Sequence, residues 1–166
     1  RESKSSMKRA AGISTCGQYR YWLSRSWDAS KKACSFIMLN PSTADHKVDD
    51  PTIRRCMYYA QKFGYGTLYV TNLFAFRATD KNELRKVNDP IGPENDKFIE
   101  QLSRKSDIVV VAWGNDGRYL HRAKEIMNKL RKNGTQLYCL KMSKLKEPCH
   151  PLYLKNESSL IPLKEQ

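Results

Sequence analysis

The sequence predicts an α/β protein, a three-layer α/β/α sandwich around a central, mostly parallel sheet of about four strands. Short apolar, β-branched runs alternate with longer stretches of helical periodicity, which is typical of a parallel sheet with helical connections. Each apolar run is followed by polar or aromatic residues. The four runs cover residues 35–40, 67–73, 107–113 and 136–141.

The N-terminal region precedes this pattern. Residues 1–15 are basic and poor in large apolar groups, which predicts a flexible basic arm ahead of a single domain over residues 16–166. Residues 19–27 alternate aromatic and basic side chains, which favours a strand. Two interpretations of that strand stay open: its polar side faces phosphate, or it is an edge strand packed by its rings.

Helices are predicted between the core strands. Asp50 followed by Pro51 begins the first helix, because the carboxylate caps free amides and proline fits the first turn. A glycine near residue 64 ends it. Further helices are predicted over residues 94–105 and 118–132, the latter with apolar residues on one face and basic residues opposite. The predicted order is therefore β-α-β-α-β-α-β.

The net charge of +13 is concentrated at the two ends of the chain. Residues 1–32 hold eight basic and two acidic side chains, residues 33–117 eleven of each, and residues 118–166 eleven and four. If the two ends share a face, that face attracts a polyanion, so DNA, double- or single-stranded, is the expected partner. A generally basic, soluble surface is the alternative.

Composition also bears on compartment and cofactors. No apolar run approaches the roughly 20 residues of a membrane span, and no signal-peptide segment is visible. We therefore expect a cytoplasmic monomer without membrane association or an obligate protein partner. The five cysteines form no C-x-x-C pair and are expected to be buried, inert thiols, so no metal site or other cofactor is expected.

Clusters of polar, aromatic and proline residues follow the four predicted strands. In chain order they contain Asn40-Pro41, Thr71-Asn72, Trp113-Gly114-Asn115 and His150-Pro151. Ligands of open parallel sheets gather at the carboxyl ends of the strands. We therefore expect the three asparagines and the histidine to converge on one pocket, which argues for an enzyme.

This motif series resembles that of the uracil-DNA glycosylase superfamily over about residues 35–155. The phrases LNPSTAD, DDPTIRRC, NLFAFRATD, AWG and HPLYL also resemble a bacterial and phage family described only as a domain of unknown function. The resemblance implies a uracil-DNA glycosylase-like fold. It also implies a monofunctional DNA glycosylase, which flips out an abnormal or modified pyrimidine and hydrolyses its N-glycosyl bond to leave an abasic site.

The resemblance implies catalytic roles for the strand-end residues. His150 donates to the base oxygen as negative charge builds, and Asn40 occupies the place of the water-positioning residue. An amide does not accept a proton from water, so a helper base is expected; Asp45 is the nearest candidate, with Asp49 and Asp50 behind it. Helix capping is the preferred interpretation of Asp50. A histidine that only orders a proline turn is the alternative for His150.

Base binding is expected from Asn72, Pro41, Ser42 and Phe74. Asn72 offers an amide donor and acceptor to the Watson–Crick edge of a pyrimidine, with a strand-end turn residue as the alternative. Phe74 or Phe76 would stack on the base, although core packing is the commoner fate of such rings. Ser42 stands where the superfamily commonly has glycine or tyrosine. A small residue there leaves room for a bulky 5-substituent, as in phage genomes, which suggests defence against foreign DNA beside repair.

DNA contacts are expected from an apolar wedge and from basic side chains. Leu154, just beyond the histidine-proline pair and next to Lys155, would enter the gap left by the flipped base. Arg54, Arg55 and Arg77 lie close in sequence to the strand-end clusters and would grip phosphate. A buried turn and solvated arginines are the plain alternatives.

Two other functions remain open. A hydrolase or base-transfer enzyme acting on free nucleosides or nucleotides would use the same pocket but would have little need of the basic terminal regions. A non-catalytic DNA-binding protein of the same fold would not need Asn40, Asn72 and His150 together. The salt dependence of DNA affinity distinguishes the small-molecule enzyme from a DNA glycosylase. The activity of His150→Ala distinguishes the non-catalytic binder from a catalyst.

Overall fold

The computed structural model describes residues 7–164 as seven strands and three α-helices joined by loops and short 3-10 turns. The strands are β1 (Lys8–Ile13), β2 (Arg20–Ser26), β3 (Ala33–Met38), β4 (Thr67–Asn72), β5 (Ile108–Val111), β6 (Leu137–Cys139) and β7 (Ile161–Pro162). The helices are α1 (Pro51–Lys62), α2 (Asn95–Arg104) and α3 (Arg122–Lys132). The 3-10 turns cover Lys81–Arg85, Asn115–His121 and Pro151–Tyr153.

The seven strands form one mixed sheet in the order β1-β2-β4-β3-β5-β6-β7. Strands β4, β3, β5 and β6 are parallel and correspond to the four runs predicted from the sequence. Strands β1, β2 and β7 pair antiparallel with their neighbours and extend the sheet on both sides. The prediction of about four strands is therefore wrong in number, although the parallel centre is present as predicted.

The N-terminal region differs from the prediction. Residues 8–13, expected to belong to a flexible arm, form β1, in register with β2 from Lys8 opposite Ser26. Residues 1–6 of the predicted arm lie outside the described residues. Strand β2 is not an edge strand, since it pairs with β1 on one side and with β4 on the other. Both of its arginines, Arg20 and Arg25, are buried, so they do not form an exposed basic face.

Apolar side chains form a core on each face of the sheet. Along β3, Phe36 belongs to one buried cluster together with Ile53 of α1. The next residue, Ile37, belongs to a second cluster with Ile99 of α2 and Ile126 of α3. Because successive residues of a strand point to opposite faces, α1 covers one face of the sheet and α2 and α3 cover the other.

Helix α1 begins as the sequence predicts. The Asp50 Oδ1 accepts a hydrogen bond from the Ile53 amide at 2.9 Å, and Pro51 occupies the first helical position. After the C-cap Phe63, Gly64 has a φ of +89°, a conformation that glycine adopts without steric cost. The capping interpretation of Asp50 is confirmed.

The other two helices differ in how closely they match the prediction. Helix α2 agrees with the predicted range to within one residue at each end. Helix α3 begins later than predicted, at Arg122, because the preceding 3-10 turns are interrupted at Tyr119 and at Leu120, whose φ is +55°. None of the helices within residues 7–164 has the length and apolar character of a bilayer-spanning segment.

Arg25 fixes the loop between β3 and α1. Its buried guanidinium donates from Nε to the Asp49 carboxylate at 2.7 Å. Its Nη2 donates to the Asp45 and Val48 carbonyls at 2.6 and 3.2 Å. A loop that leaves a sheet has few ladder partners, so its buried carbonyls need other donors. One side chain of β2 therefore holds the segment that leads into α1.

Replacing Arg25 by methionine should lower the free energy of unfolding by about 1–3 kcal/mol, because the Asp45 and Val48 carbonyls lose their buried donor while the Asp49 carboxylate keeps its pair with Arg9. Urea-induced unfolding followed by tryptophan fluorescence measures the loss. Lys31→Met is the matched control, since the Lys31–Asp28 pair is exposed and its atoms are 4.0 Å apart. The control should change the free energy by less than about 1 kcal/mol. Equal losses in the two variants would contradict the role assigned to Arg25.

Candidate functional site

A cleft of about 960 Å³ lies at the carboxyl ends of the parallel strands. From β3 the chain passes to β4 on one side, and from β4 it crosses to β5 on the other. The ends of β3 and β5 therefore flank a topological switch point, where ligands of open α/β sheets bind. The lining contains all four residues that were predicted to converge, Asn40, Asn72, Asn115 and His150.

Asn40 has a fixed orientation. Its Nδ2 donates to the Pro41 carbonyl at 3.0 Å and to the Ala78 carbonyl at 2.8 Å. Both amide hydrogens are thus engaged by backbone, which leaves Oδ1 as the atom with which Asn40 accepts hydrogen bonds. Pro41 and Ser42, predicted to lie beside the base, also line the cleft.

Asn72 contributes a buried donor. The residue is 1% exposed, and its Nδ2 makes no hydrogen bond within the described part of the chain. Its backbone carbonyl accepts from the Asn95 Nδ2 at 2.8 Å, which ties the end of β4 to α2. A buried donor without an acceptor costs about 1–3 kcal/mol, so this amide is suited to a ligand that supplies an oxygen.

His150 is held in one neutral tautomer. Its Nδ1 accepts a hydrogen bond from the Leu152 amide at 3.2 Å, so the proton of the neutral ring is on Nε2. Burial lowers the pKa of His150 from its ordinary 6.5; the charge of Asp50 opposes this effect and that of Lys81 adds to it. At neutral pH His150 is therefore uncharged, and Nε2 is the ring nitrogen that carries the proton.

The structure separates the acidic candidates of the β3–α1 loop. Asp45 accepts hydrogen bonds from the Lys47 and Val48 amides, both at 2.8 Å, and these bonds lower its pKa. Asp45 is not among the lining residues, so the geometry does not support it as the helper base. Asp50 does line the cleft, and its Oδ2 lies 3.4 Å from the Ala44 amide. Asp80 and Asp116 also line the cleft: Asp80 accepts a hydrogen bond from the Asn82 amide and Asp116 pairs with Lys81.

Phe74 lies in the core instead of the cleft. Its side chain has no exposed surface and packs against Tyr119, with the ring centroids 5.5 Å apart. Phe76 packs edge-on against Tyr19 at 6.1 Å and is also outside the lining. The prediction that Phe74 stacks on a base is therefore wrong, and the core-packing alternative is confirmed.

Arg55 holds the loop that carries Leu154. Its Nη2 donates to the Leu154 carbonyl at 2.7 Å and to the Tyr59 hydroxyl at 2.9 Å, and its Nη1 donates to the Asn156 side chain at 2.6 Å. The predicted phosphate contact of Arg55 is corrected to an internal one, because these acceptors engage its guanidinium. Leu154 itself lines the cleft and is half-buried.

The remaining basic candidates lie outside the lining. Arg54 is exposed and donates to the Asp49 carbonyl at 3.3 Å. Arg77 is half-buried and reaches the Gly17 carbonyl at 3.4 Å. Lys155 is exposed. Arg54 and Lys155 therefore stay predictions for phosphate contact, whereas Arg77 is partly engaged.

Sequence reasoning missed three basic residues of the lining, Arg20, Lys81 and Lys141. Arg20 is 2% exposed and donates from Nη1 to the Ala44 carbonyl at 2.9 Å. Burial lowers the pKa of Arg20 to about 10, so the side chain is still charged at neutral pH. For Arg20, the available signal in the sequence was the alternation of aromatic and basic residues over 19–27. That alternation does not indicate which basic side chain points into the cleft.

The expectation that the five cysteines are buried holds for three of them and is wrong for the exposed Cys16 and the half-buried Cys149. Burial raises the pKa of Cys34 to about 12 and that of Cys139 to about 11, which keeps both as unreactive thiols. Cys56 is buried, Cys149 is half-buried in the cleft lining, and Cys16 is exposed. Within residues 7–164 no group of three or more histidine, cysteine, aspartate or glutamate side chains is arranged to hold a metal ion.

A known family matches most of the chain. The family described as "Protein of unknown function (DUF1643)" matches residues 20–152. This span runs from Arg20 to just beyond His150 and so contains the strand ends that form the cleft. No curated protein and no solved structure matches the chain significantly.

Nitrogen-15 NMR of the histidine side chains should find His150 neutral at pH 7, with its proton on Nε2 and a pKa below 6.5. Burial disfavours the charged ring, and the Leu152 amide occupies Nδ1. The spectrum of His150→Gln assigns the resonances. A cationic ring at pH 7, or a neutral ring protonated on Nδ1, would contradict this description.

The same lowered pKa of His150 has a consequence for stability. As pH falls below about 6.5, the unfolded chain takes up a proton at this position before the folded chain does, so the unfolding free energy decreases. The stabilising contribution is complete above about pH 6.5 and is lost as pH falls towards the folded pKa. Urea unfolding at several pH values should therefore show a steeper acid-side loss in the wild type than in His150→Gln.

Proposed function

We propose that this chain, which belongs to the DUF1643 family of proteins of unknown function, is a DNA glycosylase of the uracil-DNA glycosylase superfamily that excises an abnormal or modified pyrimidine. The observation that carries the proposal is the cleft in which Asn40, Asn72 and His150 lie together. The parallel order β4-β3-β5-β6, with helices on both faces, supports a uracil-DNA glycosylase-like fold.

Asn72 reads the Watson–Crick edge of the flipped base. Its buried Nδ2 needs an acceptor, and a pyrimidine carbonyl supplies one. An analogue without that oxygen leaves the donor unpaired, which is a stronger source of selectivity than the loss of an apolar contact. Asn72 therefore contributes to the choice of base as well as to its orientation.

His150 stabilises the leaving base. Breaking an N-glycosyl bond puts negative charge on the base oxygens while positive charge builds on the sugar. A neutral imidazole whose Nδ1 is fixed by the Leu152 amide offers its Nε2–H to such an oxygen. The neutral ring provides this donor without a full positive charge close to the positively charged sugar.

Asn40 and Asp50 position the attacking water. Because both amide hydrogens of Asn40 are bound to backbone carbonyls, its Oδ1 accepts from water and orients the oxygen towards C1′. Asp50, one of three aspartates in the lining, accepts the proton. It takes the role that the sequence assigned to Asp45, because Asp45 lies outside the lining.

The DNA duplex meets the rim of the cleft. Leu154 fills the gap left by the extruded base, and Lys141 of the lining contacts a phosphate. The lining holds three basic side chains (Arg20, Lys81 and Lys141) and three acidic ones (Asp50, Asp80 and Asp116), and Lys81 is paired with Asp116. The exposed Lys141 is therefore the side chain of the lining that suits a polyanionic substrate. This is the feature that favours DNA over the small-molecule alternative.

Incubation with a panel of modified oligonucleotides and phage DNA, followed by mass spectrometry and an abasic-site assay, tests the activity. We expect a free pyrimidine and an abasic site, with the rate reduced about 10²–10³-fold in His150→Ala because an oxyanion donor is lost. His46→Ala is the matched control: His46 is exposed and outside the lining, so its activity should stay close to wild type.

Three results of that experiment would contradict the proposal. Tight DNA binding without release of any base would indicate a non-catalytic binder. Release from free nucleosides but not from DNA would indicate a small-molecule hydrolase. Release that persists unchanged in His150→Ala would show that the excision occurs elsewhere.

DNA affinity should fall steeply with salt, with a slope of log K against log[salt] of about −0.9 for each phosphate contacted. Lys141→Gln should reduce the slope by about one unit, because one phosphate contact is lost. Lys32→Gln is the control, since Lys32 precedes β3 at the amino end of the strands, away from the cleft. A slope near zero, or equal effects of the two variants, would contradict a phosphate contact at the cleft.

A further inference from the structure

Arg20 differs from the other buried arginines in its surroundings. Arg25 pairs with Asp49, and Arg122 pairs with Asp96. Within the described residues, Arg20 has no carboxylate oxygen within 4.0 Å, and its buried Nε makes no hydrogen bond. A buried guanidinium with an unused donor is costly, and a ligand oxygen in the cleft that it lines would remove that cost.

The position of Arg20 in the cleft is defined by two backbone contacts. Its amide donates to the Ala75 carbonyl and its Nη1 to the Ala44 carbonyl, both at 2.9 Å. Arg20 thus lies between the loop after β4 and the loop after β3, and Ser42 of the latter loop lines the same cleft. In the strand order β2-β4-β3-β5-β6, Arg20 of β2 is on one side of Asn72 and the His150 segment beyond β6 is on the other.

The geometry of a pyrimidine ring connects these two sides. C2 and C5 are opposite corners of the ring, so a base that gives its C2 oxygen to His150 and its Watson–Crick edge to Asn72 directs C5 towards β2. We infer that Arg20 forms a subsite for an oxygen-bearing, anionic substituent at the 5-position of the pyrimidine, reached past the small Ser42. This inference rests on the proposed function and names the substrate class.

An anion fits this subsite better than a neutral substituent. A carboxylate presents two oxygens that match the fork of a guanidinium, and charge-assisted hydrogen bonds are about twice as strong as neutral ones. A hydroxyl would satisfy one donor but would bring no negative charge to add to that of the nearby Asp50. A methyl group, as in thymine, would satisfy neither, so thymine is the ligand that the subsite should disfavour.

Calorimetric titration with free 5-carboxyuracil and with thymine at neutral pH tests the subsite. The wild type should bind 5-carboxyuracil at least about tenfold more tightly, the lower range for a hydrogen bond to a charged group. In Arg20→Gln, which removes the charge, the preference should disappear. In Arg20→Lys, which keeps the charge but loses Nε, the preference for 5-carboxyuracil should fall to an intermediate value. This variant tests the subsite if Arg20→Gln unfolds.

Arg77→Gln is the matched control for the general effect of positive charge. Arg77 is electrostatically close to Arg20 but lies outside the lining, so this variant should keep the preference. Thermal unfolding confirms that each variant is folded before titration. If Arg77→Gln abolishes the preference as Arg20→Gln does, a diffuse potential explains it and the subsite is overturned.

The titration distinguishes failure of the subsite from failure of the proposed function. Arg20-dependent preference without release of any base from DNA would support the subsite and overturn the glycosylase. Base release from DNA without the preference, or an equal loss of both ligands in Arg20→Gln, would overturn the subsite and leave the glycosylase. No binding of either base by the wild type would also overturn the subsite.

Discussion

Guanidinium groups that donate to backbone carbonyls hold the loops that form the cleft. Arg25 serves the loop after β3, Arg122 reaches the Leu73 carbonyl after β4 at 2.8 Å, and Arg55 reaches the Leu154 carbonyl beyond β6. Loops that follow parallel strands leave the ladder of the sheet, so their buried carbonyls must find other donors. A guanidinium supplies five donors in a rigid arrangement and can serve several carbonyls at once. The positions of the strand-end side chains therefore depend on these contacts as much as on the sheet.

This use of arginine changes how the net charge of +13 is interpreted. Arg20, Arg25 and Arg122 are buried, so they add to the formal charge but not to the surface that an approaching polyanion meets. Two of them are balanced by acidic partners within the fold. The case for DNA therefore depends on exposed cations such as Lys141 at the cleft, and the composition alone overstates it. Arg20 is the buried arginine whose charge is available to bind an anionic group of a ligand in the cleft.

The sequence predicted the parallel centre and the convergence of its strand ends because both follow from periodicity and from one rule of sheet topology. It did not predict which member of each cluster faces the cleft. Asp45 and Asp50 share one loop, and local hydrogen bonds to backbone amides decide that Asp45 closes a turn while Asp50 enters the lining. Phe74 lies in the core, in the same buried cluster as the preceding Leu73, so alternation along the strand does not predict its direction. Strands β1 and β7 were missed because they are polar or short and owe their formation to pairing with neighbours. Strand β2 was predicted as a strand, but the sequence did not show that β1 and β4 pair with it on both sides.

In the proposed reaction, the cleft stabilises the leaving base more strongly than it activates the attacking water. Donors at Asn72 and His150 meet the base oxygens on which negative charge collects, and Arg20 adds a positive charge on the far side. Asn40 orients water but does not deprotonate it, and one oxygen of Asp50 is engaged by the first turn of α1. An oxocarbenium-like path needs stabilisation of the departing base more than a strong nucleophile. These residues therefore support a mechanism in which bond breaking leads and water follows.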